Sequence, residues 1–229
     1  MRVHVAFTPA EAERVPTAVV VDVLRATSTI AQALDAGYGR VFCCAEIEEA
    51  RALRERLGDA VLAGERRAAA IPGFDLGNSP REFLEPTAEA LVLSTTNGTR
   101  AIVAAARTAE TVLVGSLLNL DEVARVAREA GADVEIVCAG VEGRFSLDDA
   151  YCAGRIAELL AGERSDAAEA ALRVARSFPS AEDALRASKN PLHEHLGEDV
   201  AWCARESVLA VVPRLLRFDG RAAELVASN

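Results

Sequence analysis

"VVVDVLRATST", residues 19–29, sets an apolar, β-branched run directly against an acid, an arginine and a cluster of hydroxyls. Val19, Val20, Val21 and Val23 read as a strand buried on both faces, which is the mark of a parallel sheet. Asp22 interrupts that run, and Arg25, Thr27, Ser28 and Thr29 follow at once. A chain built only to fold does not need that density of polar groups at a strand end. In open α/β sheets ligands bind beyond the carboxyl ends of the strands. The stretch therefore raises both a fold, strand followed by helix, and a candidate site.

The same alternation runs outward from it. Strands are expected at 3–7, 18–23, 40–44, 60–63, 90–94, 111–114 and 134–138, and helices at 29–36, 47–57, 99–106, 121–130 and 147–161. The 121–130 segment shows the helical period plainly. Val123, Ala127 and Ala130 share one face, while Asp121, Glu122, Arg125, Arg128 and Glu129 share the other. Asn119 is placed to cap that helix and Gly131 to end it. Strand–helix–strand units at this spacing predict a three-layer α/β/α fold around a mostly parallel sheet. Residues 163–206 read as alanine-rich helices, one of them opened by a Ser180–Asp183 capping box. The tail, "VLAVVPRLLRFDGRAAELVA" (208–227), reads as a final edge strand or hairpin turning at Asp219-Gly220, with Pro213 assigning part of it to a sheet edge. Residues 1–229 are expected to form a single domain, with 163–206 as a helical elaboration.

Composition narrows the partners. The 229 residues carry a net charge of −10, with 51% hydrophobic and 26% charged residues, which describes an ordinary globular chain. Net acidity argues against nucleic acid, whose binders show a basic stripe, and against an anionic membrane surface. No apolar run approaches the roughly 18–20 residues of a membrane span. The opening MRVHVAFTPAEAE lacks the long apolar core of a signal peptide, so a cytoplasmic protein is expected. The five cysteines are scattered, include the pair Cys43-Cys44 and form no CxxC, so they read as reduced core residues. Homo-oligomerisation is compatible with all of this.

Four strand ends carry chemistry. After the second strand, Asp22 and Arg25 precede Thr27 and Ser28 at a helix start, where backbone N–H groups favour an anion. Thr27 and Ser28 also suit plain helix capping. After the fourth strand come Gly64-Glu65-Arg66-Arg67 and a long loop, "IPGFDLGNSP" (71–80), holding Asp75 and Asn78. Loops of that length are commonly functional, although Asp75 and Asn78 also suit Asx-turns and Arg67 a solvated turn. After the fifth strand comes "STTNGT" (94–99), whose Thr96, Asn97, Gly98 and Thr99 suit close approach of backbone N–H groups to an anion. After the seventh strand comes "AGVEGRFSLDDAYCAG" (139–154), with Glu142, Arg144 and Asp148. Ser146 and Asp149 have capping-box spacing, which assigns Asp149 to the helix end and leaves Asp148 for chemistry.

The cations Arg25, Arg66, Arg67, Arg100, Arg144 and Lys189 lie in or near these loops or after them, and suit a small, highly charged anion. Asp22, Glu65, Glu142 and Asp148 offer hard oxygen ligands. Histidine is confined to His4, His193 and His195. That points away from zinc and toward Mg²⁺, with Mn²⁺ as the alternative.

Taken in order, "VVVDVLRATSTIAQAL" (19–34), "GER" (64–66), "PGFDLGNSP" (72–80), "LVLSTTNGT" (91–99), "CAGVEGRFSLDDAYCAG" (138–154) and, more weakly, "LHEHLGEDVAWCA" (192–204) resemble the magnesium-dependent 2-phosphosulfolactate phosphatases of coenzyme M biosynthesis. The resemblance implies hydrolysis of 2-phospho-3-sulfolactate to sulfolactate and phosphate. It carries over to Asp22, Arg25, Thr27, Glu65, Arg66, Asn78, Thr96, Asn97, Gly98, Glu142 and Asp148. On this reading a metal ion is held among Asp22, Glu65, Glu142 and Asp148. Arg25 and the 94–99 loop neutralise the phosphoryl group, with Asn97 and Asp148 as further catalytic residues. Thr27, Ser28, Arg66, Asn78, Thr96, Gly98, Thr99 and Arg144 complete the substrate site, with Arg66 or Arg144 binding the sulfonate or carboxylate. Water attack on phosphorus is preferred to an aspartyl phosphate on Asp22, because the DxDx[TV] pattern of the best-known aspartyl-phosphate enzymes has Leu24 at its second acid. A nucleotide oxidoreductase would need G-x-G-x-x-G, and Gly140 and Gly143 lack the first glycine. A non-catalytic binder of a phosphorylated or sulfonated acid, or a phosphatase of a different phospho-hydroxy acid, are the alternatives.

Overall fold

A computed structural model describes residues 1–189 and 196–228. Strands β1 (Arg2–Ala6), β2 (Thr17–Val21), β3 (Arg40–Cys44), β4 (Ala60–Arg66), β5 (Ala69–Ala70), β6 (Ala90–Ser94), β7 (Thr111–Gly115), β8 (Val134–Cys138), β9 (Glu163–Arg164), β10 (Val212–Phe218) and β11 (Ala222–Ser228) join in the order β5-β4-β6-β3-β11-β10-β7-β2-β8-β1-β9. The helices are α1 (Ala26–Ala36), α2 (Ile47–Leu57), α3 (Gly98–Thr108), α4 (Leu120–Glu129), α5 (Leu147–Leu159), α6 (Asp166–Arg176), α7 (Ala181–Ala187) and α8 (Gly197–Cys203). Among the described residues no helix is long and apolar enough to cross a membrane. His193 and His195 lie outside the described residues. All five cysteines are buried and unpaired with one another, as expected.

The period of two sorts the core into layers. Ala18 and Val20 of β2, Val41 and Cys43 of β3, and Leu91 and Leu93 of β6 bury against Ile30 and Ala33 of α1 and Ala101 and Ile102 of α3. Val19 and Val21 point the other way, into a cluster with Val123 of α4 and Ile156 of α5. Phe42, Leu62 and Val92 cover Ala50 and Leu53 of α2. Helices thus cover both faces, as the three-layer reading expects.

The tail differs from expectation in position. It forms the hairpin turning at Asp219-Gly220, but it sits in the middle of the sheet, with β11 on β3 and β10 beside β7. Pro213 is tolerated there because the β10–β7 ladder is reduced to Arg214 opposite Leu113, so the missing N–H interrupts little pairing.

That placement has a geometric consequence. β4, β6 and β3 are mutually parallel, and so are β7, β2, β8, β1 and β9. Three antiparallel ladders in succession join the two blocks, so their strands run in opposite directions along the sheet. In a flat sheet the ends of β2 and β6 would lie on opposite edges. Twist of roughly 20–25° at each of the five steps between them turns β2 through more than a right angle relative to β6. The sheet coils around α1 and α3, each of which packs on strands of both blocks. The polar strand ends do meet, then, but through coiling and not along one shared parallel edge.

At the opposite end of β8 a second acid is buried. Glu135 accepts the Glu13 N–H at 3.1 and 3.3 Å and lies 3.8 Å from His4 Nε2. Burial, with Glu13 adding to it, pushes its carboxyl up from 4.5 to about 7. The folded state keeps this proton where the unfolded chain has lost it. The contribution to stability is complete below pH 4.5 and is lost as pH rises through 7. Chemical denaturation between pH 5 and 8 should show it as a decline of up to about 3 kcal/mol, and Glu135→Gln should flatten that slope. An unchanged slope in the variant would place the titration elsewhere.

Candidate active site

Asp22 continues the β2 alternation onto the face that meets α3. The Ala26 N–H, in the first turn of α1, donates to Asp22 Oδ1 at 3.3 Å. On the other side lies Gly98, the first residue of α3. A Cβ there would fall 2.4 Å from Asp22 Oδ2 and 2.5 Å from the Ala26 Cβ, so only glycine lets the two helix starts close on the carboxylate. Asp22 is buried, and its pKa is pushed up from 3.8 to about 7, first by burial and then by the charges of Glu65 and Asp148. The Ala26 N–H and the Arg25 charge oppose that rise.

Most of the hydroxyls beside it are engaged with backbone. Thr27 Oγ1 accepts the Asp22 N–H at 3.0 Å and donates to the Asp22 carbonyl at 2.9 Å. Thr99 does the same for Thr95, at 2.9 and 3.2 Å. Ser28 Oγ donates to the Val23 carbonyl. These side chains square off the strand ends and do not cap the helices: Thr27 and Ser28 lie inside α1, whose N-cap is Arg25, and neither α1 nor α3 has a side-chain cap. Asp149 is not a cap. Its Oδ1 accepts the Val23 N–H at 3.0 Å and its Oδ2 the Gly140 N–H at 2.9 Å, tying the ends of β2 and β8 together. Burial pushes its carboxyl well up, with Asp148 and Asp22 adding to the shift.

Glu65 holds the 94–99 turn. Its Oε1 accepts the Thr96 N–H at 2.7 Å, and its Oε2 accepts the Ala68 N–H at 2.8 Å and the Thr96 hydroxyl at 3.0 Å. Asn97 Oδ1 accepts the Glu142 N–H at 3.0 Å. Glu142 is exposed, adopts a left-handed φ of 49° and pairs with Arg67 Nε at 3.4 Å. Arg67 is itself left-handed, at φ 53°, and its N–H donates to Thr96 Oγ1 at 3.0 Å. Arg66 is occupied by the carbonyls of Glu65 and Ala45 and by Ser94 Oγ, a structural strap at the base of the turn. Arg100 pairs with Glu46 of the segment before α2.

Arg25 is fixed by a residue the sequence reading missed. Its Nη1 lies 2.7 Å from Asp199 Oδ2, with both side chains nearly buried. Asp199 Oδ1 accepts the Ser79 hydroxyl at 2.6 Å. One carboxylate from α8 thereby holds the β2 end and the 71–80 loop together. In sequence it reads only as an acid in the first turn of a helix, where any acid is favoured. In that loop, Asn78 is buried, its carbonyl accepts the Thr29 hydroxyl at 2.8 Å, and its Oδ1 has no hydrogen-bond partner. Asp148 is buried at the start of α5, with its Oδ1 accepting the hydroxyls of Ser146 and Ser188. Arg144 stands apart from these contacts, in the exposed turn that closes on Val141.

The expected metal set is only partly assembled. Among the described residues no group of three or more His, Cys, Asp or Glu is arranged to hold a cation. Glu65 is taken up by three donors and Glu142 faces Arg67. Asp22 and Asp148 are buried acids, and the charges of Glu65 and then Asp148 both act on Asp22. That donor chemistry fits Mg²⁺, which is commonly held by one or two carboxylates together with water and substrate phosphate.

The family model for 2-phosphosulpholactate phosphatase matches residues 5–217. A probable 2-phosphosulfolactate phosphatase of Thermus thermophilus is 45% identical, over 97% of this chain and 98% of its own length. The 2-phosphosulfolactate phosphatase of Methanothermobacter thermautotrophicus is 38% identical, over 96% of this chain and 94% of its own. A probable enzyme of the same name from Carboxydothermus hydrogenoformans is 38% identical, over 96% of each. With its coiled α/β sheet and its enclosed acid between two helix starts, the chain belongs to the 2-phosphosulpholactate phosphatase family of phosphoric monoester hydrolases.

Proposed function

We propose that this chain hydrolyses 2-phosphosulfolactate to sulfolactate and inorganic phosphate, with Mg²⁺ or Mn²⁺ as cofactor and water attacking phosphorus directly. The observation that carries the reading is the buried Asp22 carboxylate, enclosed against Gly98 between the first turns of α1 and α3 and beside the charges of Glu65 and Asp148. Asp22 and Asp148 would hold the ion, which supplies positive charge to the phosphoryl oxygens. Arg25, fixed by Asp199, shares that neutralisation and positions the group, which is most of what phosphoryl transfer asks of a protein. Asp148, its carboxylate set by Ser146 and Ser188, orients the water. The new bond joins that water's oxygen to phosphorus. The bond between phosphorus and the ester oxygen breaks, and sulfolactate leaves carrying a proton from solvent. An aspartyl phosphate on Asp22 is the less favoured route, because Leu24 stands where the DxDx[TV] pattern of such enzymes carries its second acid.

Phosphate release from 2-phosphosulfolactate should require a divalent cation, cease with EDTA and return on adding Mg²⁺. No release from any phosphomonoester, together with tight binding of sulfolactate, would make the protein a binder and end this reading. Asp22→Asn should lower kcat about 100- to 1,000-fold while leaving the circular dichroism spectrum intact. Near-normal turnover would remove Asp22 from the chemistry. Gly98→Ala should do comparable damage, because its methyl group must displace either the Asp22 carboxylate or α1. Asp199→Asn should act through Arg25 and raise KM roughly tenfold, and combining it with Arg25→Lys should add little further. Additive losses would mean that Asp199 serves only to anchor α8.

A further inference from the structure

Beside Asp148 a cavity of about 450 Å³ opens between the β8–α5 turn and the end of α7. Glu142, Arg144, Phe145, Ser146, Ser188 and Lys189 lie on its wall. Ser146 and Ser188 are the residues whose hydroxyls donate to Asp148 Oδ1, so this wall is continuous with the proposed reaction centre. The cations around the site can be sorted by their existing commitments. Arg25 is committed to Asp199, Arg66 to two carbonyls and Ser94, and Arg100 to Glu46. Arg144 and Lys189 have no ion-pair partner among the described residues, and both face this cavity. The Glu142 carboxylate is opposed by Arg67 at 3.4 Å, which leaves the cavity wall net positive on a chain of net charge −10.

We infer that this cavity is the subsite for the non-phosphoryl half of the substrate, with Arg144 and Lys189 as the specificity-determining cations for a short acid bearing two strong anions. The inference rests on the phosphatase reading above and deepens it. Two separate cations suit a tail carrying a carboxylate and a sulfonate on adjacent carbons, where one arginine would leave one anion without a partner. Arg66, the rival for this role, has its donors engaged at the base of the 94–99 turn. Among the described residues neither Arg144 nor Lys189 makes a side-chain hydrogen bond or ion pair, so a circular dichroism spectrum and turnover of p-nitrophenyl phosphate separate lost recognition from lost folding in their variants.

The test compares the wild-type protein with Arg144→Met, Lys189→Met and the double variant. One arm measures kcat/KM for 2-phosphosulfolactate and for p-nitrophenyl phosphate, whose tail carries no second anion. A second arm measures binding of 3-sulfolactate by calorimetry, without turnover. Each single variant should lower the ratio of the two kcat/KM values about tenfold, and the double variant further. Sulfolactate should bind correspondingly more weakly to each. Unchanged ratios and unchanged sulfolactate binding, in variants that still hydrolyse phosphomonoesters, would overturn the subsite and leave the phosphatase standing. A wild-type protein that hydrolyses neither substrate would overturn the phosphatase reading, and the binding arm would still decide whether the cavity takes the diacid.

Discussion

A carboxylate enclosed between the first turns of two helices, each following a strand from a different half of the sheet, is the contact on which the rest of this site depends. Burying an ionised acid is costly unless donors and opposite charge replace its water. Here the replacement is partial. The Ala26 N–H and the Arg25 charge favour the ionised form of Asp22, and the N-terminal ends of α1 and α3 add their dipoles. Burial and the neighbouring acids Glu65 and Asp148 outweigh them, and the carboxyl is pushed up to about 7. In the proposed mechanism a cation, and the phosphate ester brought in with it, would complete that balance of charge.

The sheet explains how such an enclosure forms. A wholly parallel doubly wound sheet would align its carboxyl ends on one edge. This chain inserts the β10–β11 hairpin between two parallel blocks, opposes their directions, and relies on twist to swing the ends of β2 and β6 together around α1 and α3. The C-terminal segment contributes twice. Its hairpin fills the centre of the sheet, and its helix α8 brings Asp199 against Arg25 and Ser79. The residues that pin each strand end in place are polar but local: Thr27 for β2, Thr99 for the turn after β6, and Asp149 between β2 and β8.

What could be read from the sequence follows the range of the interactions. The alternation of β-branched runs with amphipathic helices reflects local periodicity, so the α/β class and the strands around Val19–Val21, Val41–Cys43 and Leu91–Leu93 were legible. So was the turn at Asp219-Gly220, whose residue types act within a few positions. The central place of that hairpin was not legible, because it is set by pairing between β11 and β3 across most of the chain. The polar strand ends do come together in the fold, yet the type of residue did not separate two uses of the same group. Thr27, Thr99 and Glu65 satisfy backbone donors of the strand ends and turns, whereas Asp22 is enclosed between two helix starts beside Glu65 and Asp148. Asp199 lies 174 residues from Arg25, and nothing in its local sequence announces a partner at that distance.

In the proposed mechanism Asp22 and Asp148 would hold the cation, with Glu142 outside the set. Mn²⁺ binding, followed by electron paramagnetic resonance of the free ion in titrations of the wild-type protein, tests that division directly. If these two acids hold the ion, Asp22→Asn and Asp148→Asn should each abolish tight binding while Glu142→Gln retains it. Equal affinity in the wild-type protein and the Asp22→Asn variant would contradict that division.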